Sequence, residues 1–221
     1  MEAARFRLSR EQLKGIAMLT MLIDHIGAVL LPGALVLRGI GRLSFPIFCF
    51  FIAQGYAHTR SVPKYLARLL IFGVLSEVPF DLAFYSQPFY WGYQNVMWTL
   101  ALGLVAIWCA DLGERGSRLW LLGVLGALLA AYFGRTDYGA FGVSAVLLCH
   151  YLPRLPHRYA FGALLFAALC IVHNNLVELL GSLSFALLAL YSGEKASHSR
   201  VLRYAFYAFY PLHLLALWAI A

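Results

Sequence analysis

Charge is what this chain has least of. Only 12% of its residues are Asp, Glu, Lys or Arg, against 62% that are hydrophobic. Soluble domains carry about a quarter charged residues. So few charges cannot cover the surface of a compact soluble core of this size, and a disordered chain needs still more charge and less apolar content. Soluble globular, disordered and nucleic-acid-binding classes are excluded together. The mean hydropathy of +0.75 points instead to an integral membrane protein.

Cysteine is scarce and unpatterned. Cys49, Cys109, Cys149 and Cys170 each fall in an apolar run with no CxxC spacing, and read as isolated buried thiols. The histidines lack ligand spacing, so no metal site is expected. Internal repeats, frequent in transporters, are missing, as is any low-complexity stretch. Room is missing too. A spanning helix takes about 20 apolar residues, and such runs fill most of the 221 residues. The chain therefore reads as one integral membrane domain over 1–221, with its chemistry inside the bundle or at its edges.

What is present is a succession of apolar runs, which reads as an all-α polytopic bundle. Nine candidate spans cover roughly 13–32, 40–58, 64–84, 96–112, 118–134, 139–152, 158–174, 176–192 and 203–221, within a range of eight to ten. The first run contains Asp24-His25, unlike the core of a signal peptide, and is read as retained. With the N-terminus inside, 14 of the 17 Lys and Arg fall on inner segments, and only Arg38, Arg42 and Arg135 on outer ones. That bias predicts a cytosolic N-terminus and an external C-terminus. It also explains the net charge of +7 without a nucleic-acid partner.

Charged groups inside a bilayer are costly and mark function by default. Asp24 and His25 lie in the outer half of span 1, and Glu77 and Asp81, four apart on one helix face, in the outer half of span 3. His213 lies within the last span after Pro211, next to Tyr210; Gln54 and His58 lie toward the inner end of span 2; Glu178 opens span 8. Each has a structural reading beside the functional one. Asp24 is either a catalytic neighbour or a brace for an Arg such as Arg42. Glu77 and Asp81 either brace Arg42, orient His25 or bind an acceptor amine. His58, His150 and His173 sit at helix ends, where interfacial histidines are common.

His25 carries the sharpest signal. Lys14 precedes it by 11 residues, which is three turns plus about 20°, so the two share a face about 16 Å apart along the axis. Such a pair suits a long ligand with an anionic head and a reactive far end. Lys14 meets phosphate as a point charge, and His25 exchanges a proton near neutral pH. Acetyl-CoA has that shape.

At these residues the sequence resembles the TraX family of bacterial membrane proteins. The resemblance rests on Leu13-Lys14-Gly15-Ile16-Ala17 and Ile23-Asp24-His25-Ile26-Gly27, then Gly41-Arg42-Leu43-Ser44-Phe45-Pro46-Ile47-Phe48, Gln54-Gly55-Tyr56 and His58-Thr59. It continues through Lys64-Tyr65, Arg68-Leu69, Ser76-Glu77-Val78-Pro79-Phe80-Asp81, Gln94-Asn95-Val96-Met97 and Asp137-Tyr138-Gly139, and closes on Phe209-Tyr210-Pro211-Leu212-His213. That family is named for a conjugation protein associated with acetylation of the pilin N-terminus, and is similar to membrane acyltransferases whose first helix carries Arg/Lys-x10-His.

The resemblance implies a bacterial cytoplasmic membrane and acetyl transfer from cytosolic acetyl-CoA, as co-substrate, to an amine or hydroxyl of a peptide N-terminus or envelope glycan. On this reading His25 is the general base or carries a transient acetyl group, with Asp24, Glu77, Asp81 and His213 around the reaction. Lys14, Lys64 and Arg68 meet the phosphates, while Arg42, Gln54, His58, Asn95 and Tyr210 bind substrate or hold structure. The competing class is a transporter or channel using the same carboxylates and histidines as a proton relay. A non-catalytic scaffold in a membrane assembly is a third. The acceptor, the oligomeric state and the route of the acetyl group stay open.

Overall fold

The computed structural model describes residues 7–193 and 200–221, the side chains of 200–203 excepted. Arg5 and Lys195 of the inner cations lie outside the described residues, as do the side chains of Arg200 and Arg203. The described residues form an all-α bundle. Its helices are α1 (Arg10–Val29), α2 (Leu35–Gly41), α3 (Ser44–His58), α4 (Val62–Tyr85), α5 (Val96–Glu114), α6 (Trp120–Phe133) and α7 (Gly139–Tyr151). Then come α8 (Arg158–Val172), a 3-10 helix (Leu176–Leu183) running into α9 (Ser184–Ala189), and α10 (Arg200–Ile220).

Each apolar run is helical, and local chemistry sets the ends. Ser9 and Gln12 close a capping box at the start of α1. Ser61 caps α4, and the Asn95 side chain caps α5 by accepting from Met97 N–H. Ser86, with φ 55°, stops α4 in the left-handed region.

Two features depart from simple spans. The second run, expected over 40–58, is α3 preceded by a short α2 that begins five residues before the run and breaks from α3 at Arg42-Leu43, and the eighth begins as a 3-10 helix. Two stretches, Leu35–His58 and Val96–Glu114, are long and apolar enough to cross a membrane by length and composition. α1 and α4 are long but carry charges, and the other apolar helices are shorter.

The helices alternate in direction. At one end the bundle joins Tyr56 of α3 to Asp111 of α5 (2.8 Å), pairs Arg154 with Glu114, and bridges Leu8 to Tyr191. At the other end Asp24, Arg38, Arg42 and Glu178 meet. α2 lies very close to α1: a Cβ at Gly41 would sit 2.1 Å from Asp24 Cβ, and one at Gly27 2.8 Å from Leu37 Cβ.

Large apolar side chains also lie on the outside of the bundle. Leu70, Ile71, Val74 and Leu75 of α4 face outward, as do Leu122 and Leu129 of α6 and Leu164 and Ile171 of α8. Asp24, Arg42, Ser76, Asp81, Asn95, Thr99, Glu178 and His213 are buried. Large contiguous exposed apolar faces mark contact with another apolar phase or a partner.

Candidate functional site

The face of α1 that carries Lys14 and His25 is turned toward α10. Lys14 Nζ lies 4.6 Å from the Phe206 ring centroid and 5.7 Å from that of Phe51. Three turns further along α1, half-buried His25 meets His213: its Nδ1 is 2.6 Å from His213 Nε2, and the two rings are within 3° of parallel. Phe84 of α4 packs edge-on to His25 at 5.4 Å, and Tyr210 at 6.3 Å.

Hydrogen-bond logic fixes the tautomers. His213 Nδ1 lies 2.7 Å from the carbonyl oxygen of Phe209. A carbonyl only accepts, so His213 Nδ1–H donates to it. In the neutral ring Nε2 is then the acceptor, and His25 Nδ1–H donates to it. His25 Nε2 is left with the lone pair. The chain His25 → His213 → Phe209 O therefore orients a base nitrogen, as a carboxylate does behind a histidine elsewhere.

Asp24 is a quarter-turn further round α1 and has a separate set of partners. Arg42 Nη2 is 2.5 Å from one carboxylate oxygen, and Arg38 Nη1 2.7 Å from the other. Arg42 also pairs with Glu178, holds Tyr138 Oη at 3.4 Å, and donates from Nε to Arg38 O at 3.1 Å. Arg42, Asp24 and Glu178 are all buried. Two cations thus meet two carboxylates, which neutralises the cluster and makes each member costly to remove alone.

Glu77 and Asp81 share a face of α4 but not partners. Glu77 accepts from Asn95 Nδ2 at 2.5 Å, Asn95 N–H at 3.2 Å and Trp98 Nε1 at 2.6 Å. Asn95 Nδ2 also reaches the carbonyl of Gly73 at 2.9 Å. Asp81 accepts from Tyr90 N–H at 2.8 Å, while its other oxygen is buried without a partner among the described residues. Neither carboxylate is hydrogen-bonded to Arg42 or His25 among the described residues. The brace for Arg42 is Asp24 with Glu178, because Glu77 is committed to the start of α5.

The inner-end residues are spread out. Lys64 and His58 are exposed; His58 Nδ1 lies 2.8 Å from the carbonyl of Gln54. Gln54 lines a crevice of about 710 Å³ with Arg7, Arg158, Tyr159 and Tyr191. Arg68 lies over Tyr65 at 5.3 Å. No group of three or more His, Cys, Asp or Glu fit for a metal occurs among the described residues, and the four cysteines are free.

Some participants escape sequence reasoning. Arg38 reads only as an outer cation, yet it is the second clamp on Asp24. Tyr138 stacks on Phe45 with centroids 3.7 Å apart and reaches Arg42. Beside it, Asp137 accepts from Tyr93 Oη at 3.3 Å. Burial pushes its carboxyl up to about 7, against the opposing pull of Arg42. The Asp137-Tyr138-Gly139 triplet is the sole sequence signal for that corner.

The chain is 32% identical over 235 aligned positions to a protein of Dichelobacter nodosus named "Probable fimbrial assembly protein FimC, serogroup H1", covering 92% of this chain and 91% of that one. It is 38% identical over 69 residues to "Uncharacterized protein RP591" of Rickettsia prowazekii (strain Madrid E), covering 31% of this chain and 26% of that one. No solved structure matches. The family described as TraX protein matches residues 9–221, spanning every helix above. The chain belongs to the TraX family.

Proposed function

We propose that this protein is a multi-pass membrane acetyltransferase that moves an acetyl group from cytosolic acetyl-CoA to an acceptor amine or hydroxyl. The observation that carries the reading is the His25–His213–Phe209 chain on the same side of α1 as Lys14. One helix presents an oriented base and, three turns away, a cation. The outward apolar faces of α4, α6 and α8 support embedding in a bilayer. Alternating helices and the inner excess of Lys and Arg support about nine passes, with the N-terminus cytosolic and the C-terminus outside.

In the mechanism, the acceptor N–H or O–H gives its proton to His25 Nε2 as it attacks the thioester carbonyl. The new carbon–nitrogen or carbon–oxygen bond forms and the carbon–sulfur bond breaks. His25 returns the proton to the departing thiolate, giving CoA. His213 accepts from His25 Nδ1–H throughout and so supports the transient imidazolium. Asp24 does not face the reaction; it locks α1 to α2 and the 3-10 helix through Arg42. Glu77 and Asp81 shape the outer mouth by holding Asn95, Trp98 and Tyr90. The fimbrial name of the Dichelobacter relative favours a surface-fibre subunit as acceptor over an envelope glycan.

The test is ligand-induced stabilisation of the purified protein by acetyl-CoA and CoA, followed by acetyl transfer. A ligand that binds only the folded state raises its stability. A dose-dependent rise that weakens in Lys14→Ala supports the enzyme, and His25→Ala should retain binding while abolishing transfer. No rise at millimolar ligand, with proton-coupled uptake into liposomes, would replace this reading with a transporter.

A further inference from the structure

The inner mouth holds a second pair of cations that the mechanism does not use. Arg10 opens α1, one turn before Lys14. The two are about 40° apart round the helix and share one ring: Arg10 Cζ is 5.5 Å and Lys14 Nζ 5.7 Å from the centroid of Phe51. Arg68 of α4 lies over Tyr65 at 5.3 Å. Tyr65 is buried. Tyr65 is itself pinned against α3, since a Cβ at Gly55 would lie 2.7 Å from its hydroxyl. Phe51, beneath Arg10, and Gly55, against Tyr65, are one turn apart on α3, so Arg10 and Arg68 converge on one site between α1, α3 and α4.

Their bonding is unlike that of buried Arg42. Arg42 holds two carboxylates. The Nε atoms of Arg10 and Arg68 are buried with no hydrogen-bond partner among the described residues, and no described carboxylate pairs with either guanidinium. A guanidinium presents Nε–H and a neighbouring Nη–H as a planar fork that matches two oxygens of a phosphate. Two such forks on adjoining rings, one over Phe51 and one over Tyr65, with no paired carboxylate among the described residues, form a seat for a doubly charged phosphate monoester.

We propose that Arg10 and Arg68 hold the ribose 3′-phosphate of acyl-CoA, so that the protein distinguishes CoA from 3′-dephospho-CoA. The proposal rests on the acyl-CoA reading and deepens it. Along α1, Lys14 is 11 residues from His25 and Arg10 is 15, about 16 and 22 Å. With the thioester at His25, the uncharged pantetheine arm ends on the pyrophosphate near Lys14. The ribose phosphate lies further out, where Arg10 and Arg68 stand. Lys64, exposed one turn before Arg68, is not part of this seat.

Binding of CoA and 3′-dephospho-CoA to the full-length protein by calorimetry tests this. Wild type should prefer CoA by at least about tenfold, the worth of a charge-assisted hydrogen bond or two. Arg10→Gln and Arg68→Gln should each remove most of that preference with little change in dephospho-CoA affinity. Arg10→Lys, which keeps the charge but not the fork, should restore part of it. Lys14→Ala should weaken both ligands alike. A preference unchanged in both folded Gln variants overturns the assignment and leaves the acyl-CoA reading standing. Binding of neither ligand by wild type overturns both. Loss of the preference in phosphatidylglycerol nanodiscs but not in phosphatidylcholine ones would give the seat to a lipid headgroup and overturn the assignment to the nucleotide.

Discussion

His25 and His213, 188 residues apart in sequence, share a 2.6 Å hydrogen bond in which His25 donates and His213 accepts. The direction follows from the carbonyl of Phe209, which occupies the only proton that a neutral His213 carries. The pair is thus polarised from the α10 backbone toward the outer nitrogen of His25.

Replacing His213 by Phe removes the acceptor and keeps a ring of similar size. Turnover should fall by about 10²–10⁴-fold, the usual worth of acid–base assistance, with acetyl-CoA affinity within about twofold. His213→Gln keeps an acceptor oxygen and should recover part of the rate. Thiol release from acetyl-CoA, with water taking the acetyl group, reads this without a known acceptor. Equal rates in the Phe and Gln variants would contradict the hydrogen-bond role.

Arg42→Met leaves Asp24 and Glu178 buried, with only Arg38 in reach of the first. Breaking one side of a buried ion pair costs roughly 3–5 kcal/mol, so the variant should unfold at much lower temperature or fail to accumulate. Adding Asp24→Asn and Glu178→Gln should recover a good part of the loss, because the orphaned charges go as well. A triple variant no better than Arg42→Met would show that the network is not held by charge.

Gly41→Ala puts a carbon where Asp24 Cβ already stands, 2.1 Å away. α1 and α2 must separate, and the cost should reach or exceed the 1–3 kcal/mol or so typical of overpacking. Gly15→Ala, on α1, meets nothing within 4 Å and should be neutral or mildly stabilising. Melting temperatures of the two variants give the comparison, and similar values for both would refute the close approach.

Asp137 supplies the pH prediction. Its carboxyl is raised from an ordinary 3.8 to about 7 by burial. The folded state therefore holds this proton more tightly than the unfolded chain does. The group's cost is absent below its unfolded pKa, grows as pH rises, and is complete above about 7. Asp137→Asn should gain stability relative to wild type between about pH 5 and pH 8. Parallel pH–stability curves for the two proteins would sink this.

Much of the fold was legible because apolar runs and polar ends are local signals. The runs at 96–112 and 139–152 differ from α5 and α7 by no more than two residues at either end. The break at Arg42-Leu43 was not legible, since the Gly41 before it and the Pro46 after it are residue types also common inside spanning helices. The site divides along the same line. Lys14 and His25 share a helix, so spacing alone places them on one face. Nothing local says that His213 meets His25, or that Glu77 is taken by Asn95 and Trp98 and never reaches Arg42. Arg38 was hidden for another reason: a half-exposed cation at a helix end looks like a solvated charge until the partner helix is in place.

The Arg42 clamp also sets an order of events during synthesis. Asp24 leaves the ribosome 18 residues before Arg42 and can pair with it early, whereas Glu178 follows 136 residues later. Until then the nascent bundle carries a guanidinium with one arm unfilled. The last third of the chain completes what the first begins, since Glu178 closes the clamp and His213 arrives after it. A prematurely terminated product is consequently marked by unpaired buried charge at that end of the bundle, which is a signal that membrane quality control can act upon.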